Sequence, residues 1–328
     1  MDSLTQITLG AAVAAACVPK GHRRKAVFIG AALGTLPDLD VLIDYGDAVS
    51  NFTYHRGFSH SLFVLLPLSI LLWALLRCCY GPVRDAPRPW LWAISLALLT
   101  HPILDAHTAY GTQLFWPISS PPIMWSTVFI IDPLYTLPLL VGAIWIAFKP
   151  DKPGAHKALL LGLVLSNSYL IWTWAAKNQV NQKIVQTVGL QHEGDQVFST
   201  PILFTSLLWR VVVLQEQGYL EGYYSLLDPD KPINFIYYPR SFALFEGVEG
   251  LADVQRLSWF SQGFIKAGER DEQVVITDLR MGYEGNYVFN HVVARVDGDG
   301  YRAVKSELMP VNYTGDSLSF LWKQMTAP

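Results

Sequence analysis

Residues 90–107 read WLWAISLALLTHPILDAH, an apolar run of helical length that ends in His101, Pro102, Asp105 and His107. His101 and Asp105 are four apart, so a helix projects both from one face, where two side chains reach one ion. Pro102 removes a backbone donor and marks a distortion there. Ionisable groups inside an apolar run are costly near a membrane and point to function. Working outward, the same arrangement recurs. TLPDLD (35–40) carries Asp38 and Asp40, HRGFSHS (55–61) carries His55 and His60, and FIIDP (129–133) carries Asp132.

Composition supports a membrane setting for these motifs. Of 328 residues, 51% are hydrophobic and 16% charged, with mean hydropathy +0.27. That balance is unusual for a soluble chain of this length. It is also uneven, which predicts a transmembrane metal-site domain over 1–180 and a β-rich extracytoplasmic domain over 181–328. About six apolar segments fall at 4–18, 26–43, 58–76, 90–106, 128–148 and 157–176, near the ~20 residues a spanning helix needs. The segment 4–18 is short; Asp2 precedes it and the basic cluster follows it, the reverse of a cleaved signal, so it reads as a retained helix.

Lys and Arg set the orientation. Lys20, Arg23, Arg24 and Lys25 follow the first segment, Arg77, Arg84 and Arg88 the third, and Lys149, Lys152 and Lys157 the fifth. The 44–57 loop has only Arg56, and 107–127 has none. The basic loops are therefore expected in the cytoplasm, with both termini and the carboxy-terminal domain outside a bacterial inner membrane crossed several times. Cys17, Cys78 and Cys79 then sit at cytoplasmic helix ends, and no cysteine follows residue 180. A net charge of −3 without a basic patch gives no reason to expect nucleic acid.

Depth brings the motifs together. At 1.5 Å per residue, Asp38 lies ~20 Å from Lys25, His60 ~26 Å from Arg77, His101 and Asp105 ~17 and ~23 Å from Trp90, and Asp132 ~26 Å from Lys149. All belong near the outer surface. His55, His60, His101 and Asp105, with Asp38 and Asp40, form the expected divalent-metal site. Mixed His and Asp ligands suit Zn²⁺ first, or Mn²⁺ and Fe²⁺, and their number accommodates one ion with orienting carboxylates or two ions. Ser59 is placed near a helix cap. Arg56 is either a lone loop charge or an anion-binding group beside the metal. Asp132 reads as a catalytic base, or as a helix cap before Pro133. Asp2 and His107 are further candidates, with His107 ranked below His101. The uncharged stretch YGTQLFWPISSPPIMW (110–125) reads as an interfacial loop whose Tyr110 and Gln113 orient a head group.

The segments MDSLTQITLGAA (1–12), GTLPDLDVL (34–42), HRGFSHS (55–61), LLTHPILDAHTAYGTQLFWP (98–117), FIIDPLYTLPLL (129–140) and ITDLRMG (276–282) together resemble the YdjM-type family of inner-membrane proteins. The resemblance implies a membrane-bound, metal-requiring hydrolase, with phospholipids as a proposed substrate class. Many members carry His where this chain has Gln6; an amide oxygen at Gln6 can still face a metal or hold a water.

The carboxy-terminal part shows strand patterns at 209–214 and 219–226 around a Gln215–Gly218 turn, and at 233–238, 257–266, 273–280, 287–296 and 301–305, with Asp297-Gly298-Asp299-Gly300 as a turn. His192 and His291 are isolated there and read as structural or exposed. Two functional classes follow. The first is metal-dependent hydrolysis of a phosphoester or ester of a lipid-like substrate at the outer face of the inner membrane. The second is transport or metal sensing through the same His and Asp groups, which ordinarily places them at the midplane.

Overall fold

The computed structural model describes residues 1–189, 196–202, 204–298 and 300–310. The chain forms a helical amino-terminal region followed by two antiparallel sheets, and it divides into two compact units. The first comprises Met1–Leu42, His55–Thr108 and Thr112–Thr173; the second takes Ile43–Tyr54, Ala109–Gly111 and Trp174–Pro328.

In the first unit, α1 (Ser3–Cys17) begins at Asp2, whose side chain accepts the Thr5 N–H. It packs against α2 (Arg23–Thr35) through small residues. A Cβ on Gly10 would lie 2.2 Å from Gly30 O, and one on Gly34 would lie 2.4 Å from Gln6 O. Only glycine permits this approach, and Gly30 and Gly34 stand four apart on one face, as in close-packed membrane helices. Pro37 ends that helix, and a 3₁₀ turn follows over Pro37–Leu42. The chain passes through α3 (Ala48–Tyr54) in the second unit and returns as a 3₁₀ turn at Phe58–His60. Next come α4 (Leu62–Cys79), the short α5 (Gly81–Asp85) and α6 (Pro87–Asp105). Then α7 (Pro133–Phe148) and α8 (Pro153–Val188) complete the helical series, α8 continuing into the second unit at Trp174. Ser61, not Ser59, caps α4, accepting the Phe63 N–H at 3.2 Å.

Helices occupy all the expected apolar segments, but six membrane crossings do not follow. Among the described residues two helices, Leu62–Cys79 and Pro153–Val188, are long and apolar enough to cross a membrane. The helices Ser3–Cys17 and Pro133–Phe148 are shorter. With 15 residues, α1 is ~22 Å long and buries most of its surface against other helices. Its hydrophobicity serves helix packing, which a hydropathy window cannot distinguish from lipid contact.

In the second unit, β1 (Gln196–Ile202), β2 (Leu208–Leu214), β3 (Gly218–Ser225) and β4 (Ile236–Pro239) form one antiparallel sheet in that order. The last turns of α8 cover it, with Ala176, Val180 and Ile184 against Trp209, Val211 and Val213. Two helices, α9 (Phe242–Val248) and α10 (Ala252–Ser261), precede the second sheet of β5 (Ile265–Arg270), β6 (Gln273–Asp278), β7 (Asn290–Asp297) and β8 (Gly300–Leu308). The strand expected at 257–266 is therefore largely helix. Val254, Leu257 and Phe260 are spaced three apart and bury one helical face. Asp297 pairs with Gly300 in the final hairpin, while Asp299 and His192 lie outside the described residues.

A polar network ties the two sheets. Arg210 donates to Glu221 Oε2 at 2.6 Å, to Leu279 O at 2.7 Å and to the Tyr287 hydroxyl at 3.0 Å. Burial disfavours the Glu221 carboxylate, but Arg210 outweighs it and holds the group below the usual carboxylate range. The second sheet's core contains Val49 and Phe52 of α3 and also Tyr110.

Candidate metal centre

Backbone turns and helix packing bring the acidic and imidazole side chains together. Asp38 and Asp40 leave the 3₁₀ turn that Pro37 initiates. His60 closes the turn before α4, and His101 with Asp105 occupies the last turn of α6. One nitrogen or oxygen from each of Asp38, His60, His101 and Asp105 lies within 4.8 Å of all the others. No other such grouping occurs among the described residues.

The hydrogen bonds fix which ring nitrogens face inward. His101 Nδ1 is 2.6 Å from Gly34 O, and a carbonyl only accepts, so Nδ1 carries the proton. His60 Nδ1 is 2.9 Å from Ser59 Oγ, whose own proton goes to Asp40 Oδ2. Nδ1 of His60 therefore also donates. Both Nε2 atoms therefore face inward, 3.1 Å apart, and in the neutral ring each offers a lone pair. Asp38 Oδ1 stands 3.3 Å from each of them, and Asp105 Oδ2 3.2 and 3.4 Å. With both rings neutral, two imidazole nitrogens and two carboxylate oxygens converge as donors to a single ion. Among the described residues, nothing donates a hydrogen bond to the buried Asp38 Oδ1, Asp105 Oδ2 and Gln6 Oε1. Buried acceptors are ordinarily satisfied, and a cation among the four groups would satisfy the Asp38 and Asp105 oxygens together. The residues fit a metal.

A surrounding layer holds the four ligands. Asp40 accepts the Arg56 N–H at 3.0 Å and meets His55 Nδ1 at 2.8 Å, so it organises the His55–His60 segment. Arg56 adopts a left-handed φ of 60° and places its Nε 3.3 Å from Asp105 Oδ2 and its Nη1 3.1 Å from Thr108 Oγ1. Gln6 Nε2 donates to Asp105 Oδ1 at 2.9 Å and His101 O at 3.2 Å, and the Met1 amino group bonds Asp105 Oδ1. The close α1–α2 approach matters here, because it sets Gln6 beside Gly34, the carbonyl that fixes His101.

Other sequence-derived candidates lie elsewhere. His55 and Asp40 pair beside the quartet instead of entering it. Asp132 caps α7 through the Leu134 N–H at 3.0 Å and accepts the Tyr169 hydroxyl at 2.7 Å, so its carboxylate is engaged in holding helices. Asp2 caps α1. His107 Nδ1 is 2.9 Å from Ile103 O, and its ring packs edge-on against Trp125. Tyr110 is the clear correction: its hydroxyl donates to Phe52 O at 2.6 Å inside the second unit's core, not to a head group. Gln113 contributes its backbone N–H to Arg56 O at 3.0 Å. Sequence reading gave Ser59 only a capping role and passed over Gly34 and Thr108; the serine between two histidines and the glycines at 30 and 34 were the available signals.

A family model described as "YdjM inner membrane protein" matches residues 1–180, the stretch that contains every residue of the quartet. The chain belongs to the YdjM inner membrane protein family. A Bacillus subtilis (strain 168) protein described as uncharacterized, YfhP, is 28% identical over 210 residues, spanning 62% of this chain and 62% of its own length. The Escherichia coli (strain K12) inner membrane protein YbcI is 29% identical over 160 residues, 45% of this chain and 76% of that protein. No solved structure matches. Membership in the YdjM family places the quartet in an inner membrane protein.

Proposed function

We propose that this YdjM-family protein is a metal-dependent hydrolase acting on a phosphoester or ester of a lipid-like substrate at the outer face of the inner membrane. The observation that carries the reading is the convergence of two imidazole nitrogens and two carboxylate oxygens, all within 4.8 Å of one another. Zn²⁺ suits this donor set best, with Mn²⁺ and Fe²⁺ as alternatives. A bound ion would supply Lewis acidity toward an ester or phosphoryl oxygen and make water more acidic.

The chain's own groups do the rest. His60 and His101 are locked by their Nδ1 donors, so their Nε2 atoms need no reorganisation to bind. Arg56 holds Asp105 and adds positive charge beside an anionic substrate group. Asp38, whose side chain is 20% exposed, is the quartet member reachable from outside and marks the side of approach. The basic loops around Arg24, Arg84 and Lys152 support placing that side away from the cytoplasm.

Metal content and turnover test this together. The purified protein should hold a stoichiometric divalent ion, lost in His60→Ala and His101→Ala while membrane insertion persists. The metal-loaded wild type should hydrolyse a member of a phospholipid and polyprenyl-phosphate panel. Inertness on the whole panel, with metal-dependent solute movement across liposomes, would replace hydrolysis with transport.

A further inference from the structure

The turns that carry the inward-facing acids and histidine carry exposed apolar side chains between and beside them. In Pro37–Leu42, Asp38 and Asp40 join the site, while Val41 is 69% and Leu42 80% exposed and Leu39 is also exposed. In Phe58–His60, His60 is buried and Phe58 is exposed. A second strip lies along this turn. Leu62 N–H donates to Leu114 O at 2.9 Å, and Ser61 Oγ donates to Trp116 O at 2.5 Å. Phe58 meets Trp116 with ring centroids 6.3 Å apart, and Ile118 beyond it is exposed. The stretch 110–125 has no charged residue.

An aqueous active-site mouth is normally edged with polar groups, and contiguous exposed apolar residues mark a contact surface. Here the apolar strip is continuous with a membrane-facing helix. Phe63, in the first turn of α4, contacts Phe115 at 6.4 Å, and Phe63, Leu66 and Ile70 are exposed along that candidate span. Burying side chains as exposed as Val41, Leu42 and Ile118 in hydrocarbon is favourable, and the candidate span that begins at Leu62 puts hydrocarbon at that level.

We propose that Leu39, Val41 and Leu42, together with Phe58, Trp116 and Ile118, form a rim inserted among the acyl chains of the bilayer. Through it an acyl-bearing amphiphile slides its head group sideways from the leaflet to Asp38. The fate of the head group rests on the hydrolase reading above; the insertion of the rim does not. Substrate is selected by its tail at the rim and by its polar linkage at the metal, and water-soluble esters of the same linkage lack the first contact.

Site-directed labelling tests the insertion directly. In full-length protein with Cys17, Cys78 and Cys79 replaced by Ser, Leu42→Cys carries a nitrobenzoxadiazole label and is reconstituted in phosphatidylglycerol–phosphatidylcholine vesicles. Lipids with a doxyl group on the acyl chain should quench this label at least threefold more than aqueous iodide does. A label at Lys20→Cys, in the exposed basic turn, should show the opposite order. Ile118→Cys gives the same reading if the first variant fails to fold. Iodide quenching at 42 and 118 equal to that at 20 would overturn the rim, whatever the turnover. Labels seated in lipid, with the metal-loaded protein inert on the lipid panel, would keep the rim and sink the hydrolase reading.

Discussion

Asp40 shows how one carboxylate acts without entering the metal quartet. It receives the Arg56 N–H and the Ser59 hydroxyl and pairs with His55, so the Nδ1 proton of His60 and the direction of its Nε2 depend on it. Outer partners of this kind are typically worth about 10–100-fold in metal affinity. Asp40→Asn should therefore weaken metal binding by about that factor without abolishing it, whereas His101→Ala abolishes it. Competition with a fluorescent chelator measures both. Wild-type affinity in Asp40→Asn would show that the His60 ring is held by packing alone. Asp132 teaches the complementary lesson. A buried acid at a helix start has two physical uses, capping and catalysis, and its bonds to Leu134 and Tyr169 show the first.

At the scale of elements, the α1–α2 contact is the frame on which the site is hung. Gly34 lets α1 approach, and its carbonyl orients His101. Gly34→Val forces a side chain against the Gln6 backbone, and overpacking of this kind costs about 1–3 kcal/mol. Metal affinity should fall with it, by about tenfold or more. Gly21→Val, with nothing within 4 Å of its added Cβ, should leave both unchanged. Thermal unfolding and metal titration of the two variants separate the cases; equal behaviour would remove the frame argument.

The second sheet contains its own sensitive element. His291 on β7 is buried against Phe52 and Phe289, and among the described residues neither ring nitrogen has a hydrogen-bond partner. Burial pushes its pKa from 6.5 to about 4, with Asp278 and Asp47 opposing the shift. Above about pH 6.5 the ring is neutral folded or unfolded, so it adds no pH dependence. Between about 6.5 and 4 the unfolded chain binds a proton that the folded chain refuses, and stability falls as pH falls. The loss is on the order of 3 kcal/mol across the whole window. Amide exchange of β6 and β7 should accelerate from pH 7 to pH 5 after correction for intrinsic rates. His291→Phe should flatten that change, and an unchanged slope would assign the acid sensitivity to other groups.

For the whole molecule, the chain alternates between its two compact units. Segments 43–54 and 109–111 belong to the unit with the sheets, yet each is joined in sequence to residues beside the His/Asp quartet, at Tyr54–His55 and Thr108–Ala109. The basic loops predict both termini outside the cytoplasm. Alkaline phosphatase fused after Pro328 should be active, and a cytoplasmic reporter fused there silent. The reverse result would invert the orientation and move the proposed reaction to the inner leaflet.

The ligand types were legible in sequence because charged groups inside apolar runs stand out against their surroundings, and the i, i+4 spacing of His101 and Asp105 needs only a helix. The division into helices then sheets was legible for the same reason, since hydropathy and strand alternation are local. Which acids meet the imidazoles and which hold the surrounding segment was decided by the fold. Asp38 and Asp40 look equivalent in TLPDLD, but the turn after Pro37 sends one carboxylate to the His60 and His101 imidazoles and the other to the His55 ring, the Arg56 N–H and the Ser59 hydroxyl. Tyr110 lies five residues beyond Asp105 and still belongs to another core, because the chain changes units between them. Hydropathy also could not tell the buried α1 from the exposed α4, since a small-residue face against a helix and an exposed leucine-rich face are equally apolar. Local sequence specifies side-chain chemistry and periodicity; the meeting of distant backbones, here at Gly10, Gly30 and Gly34, specifies the site.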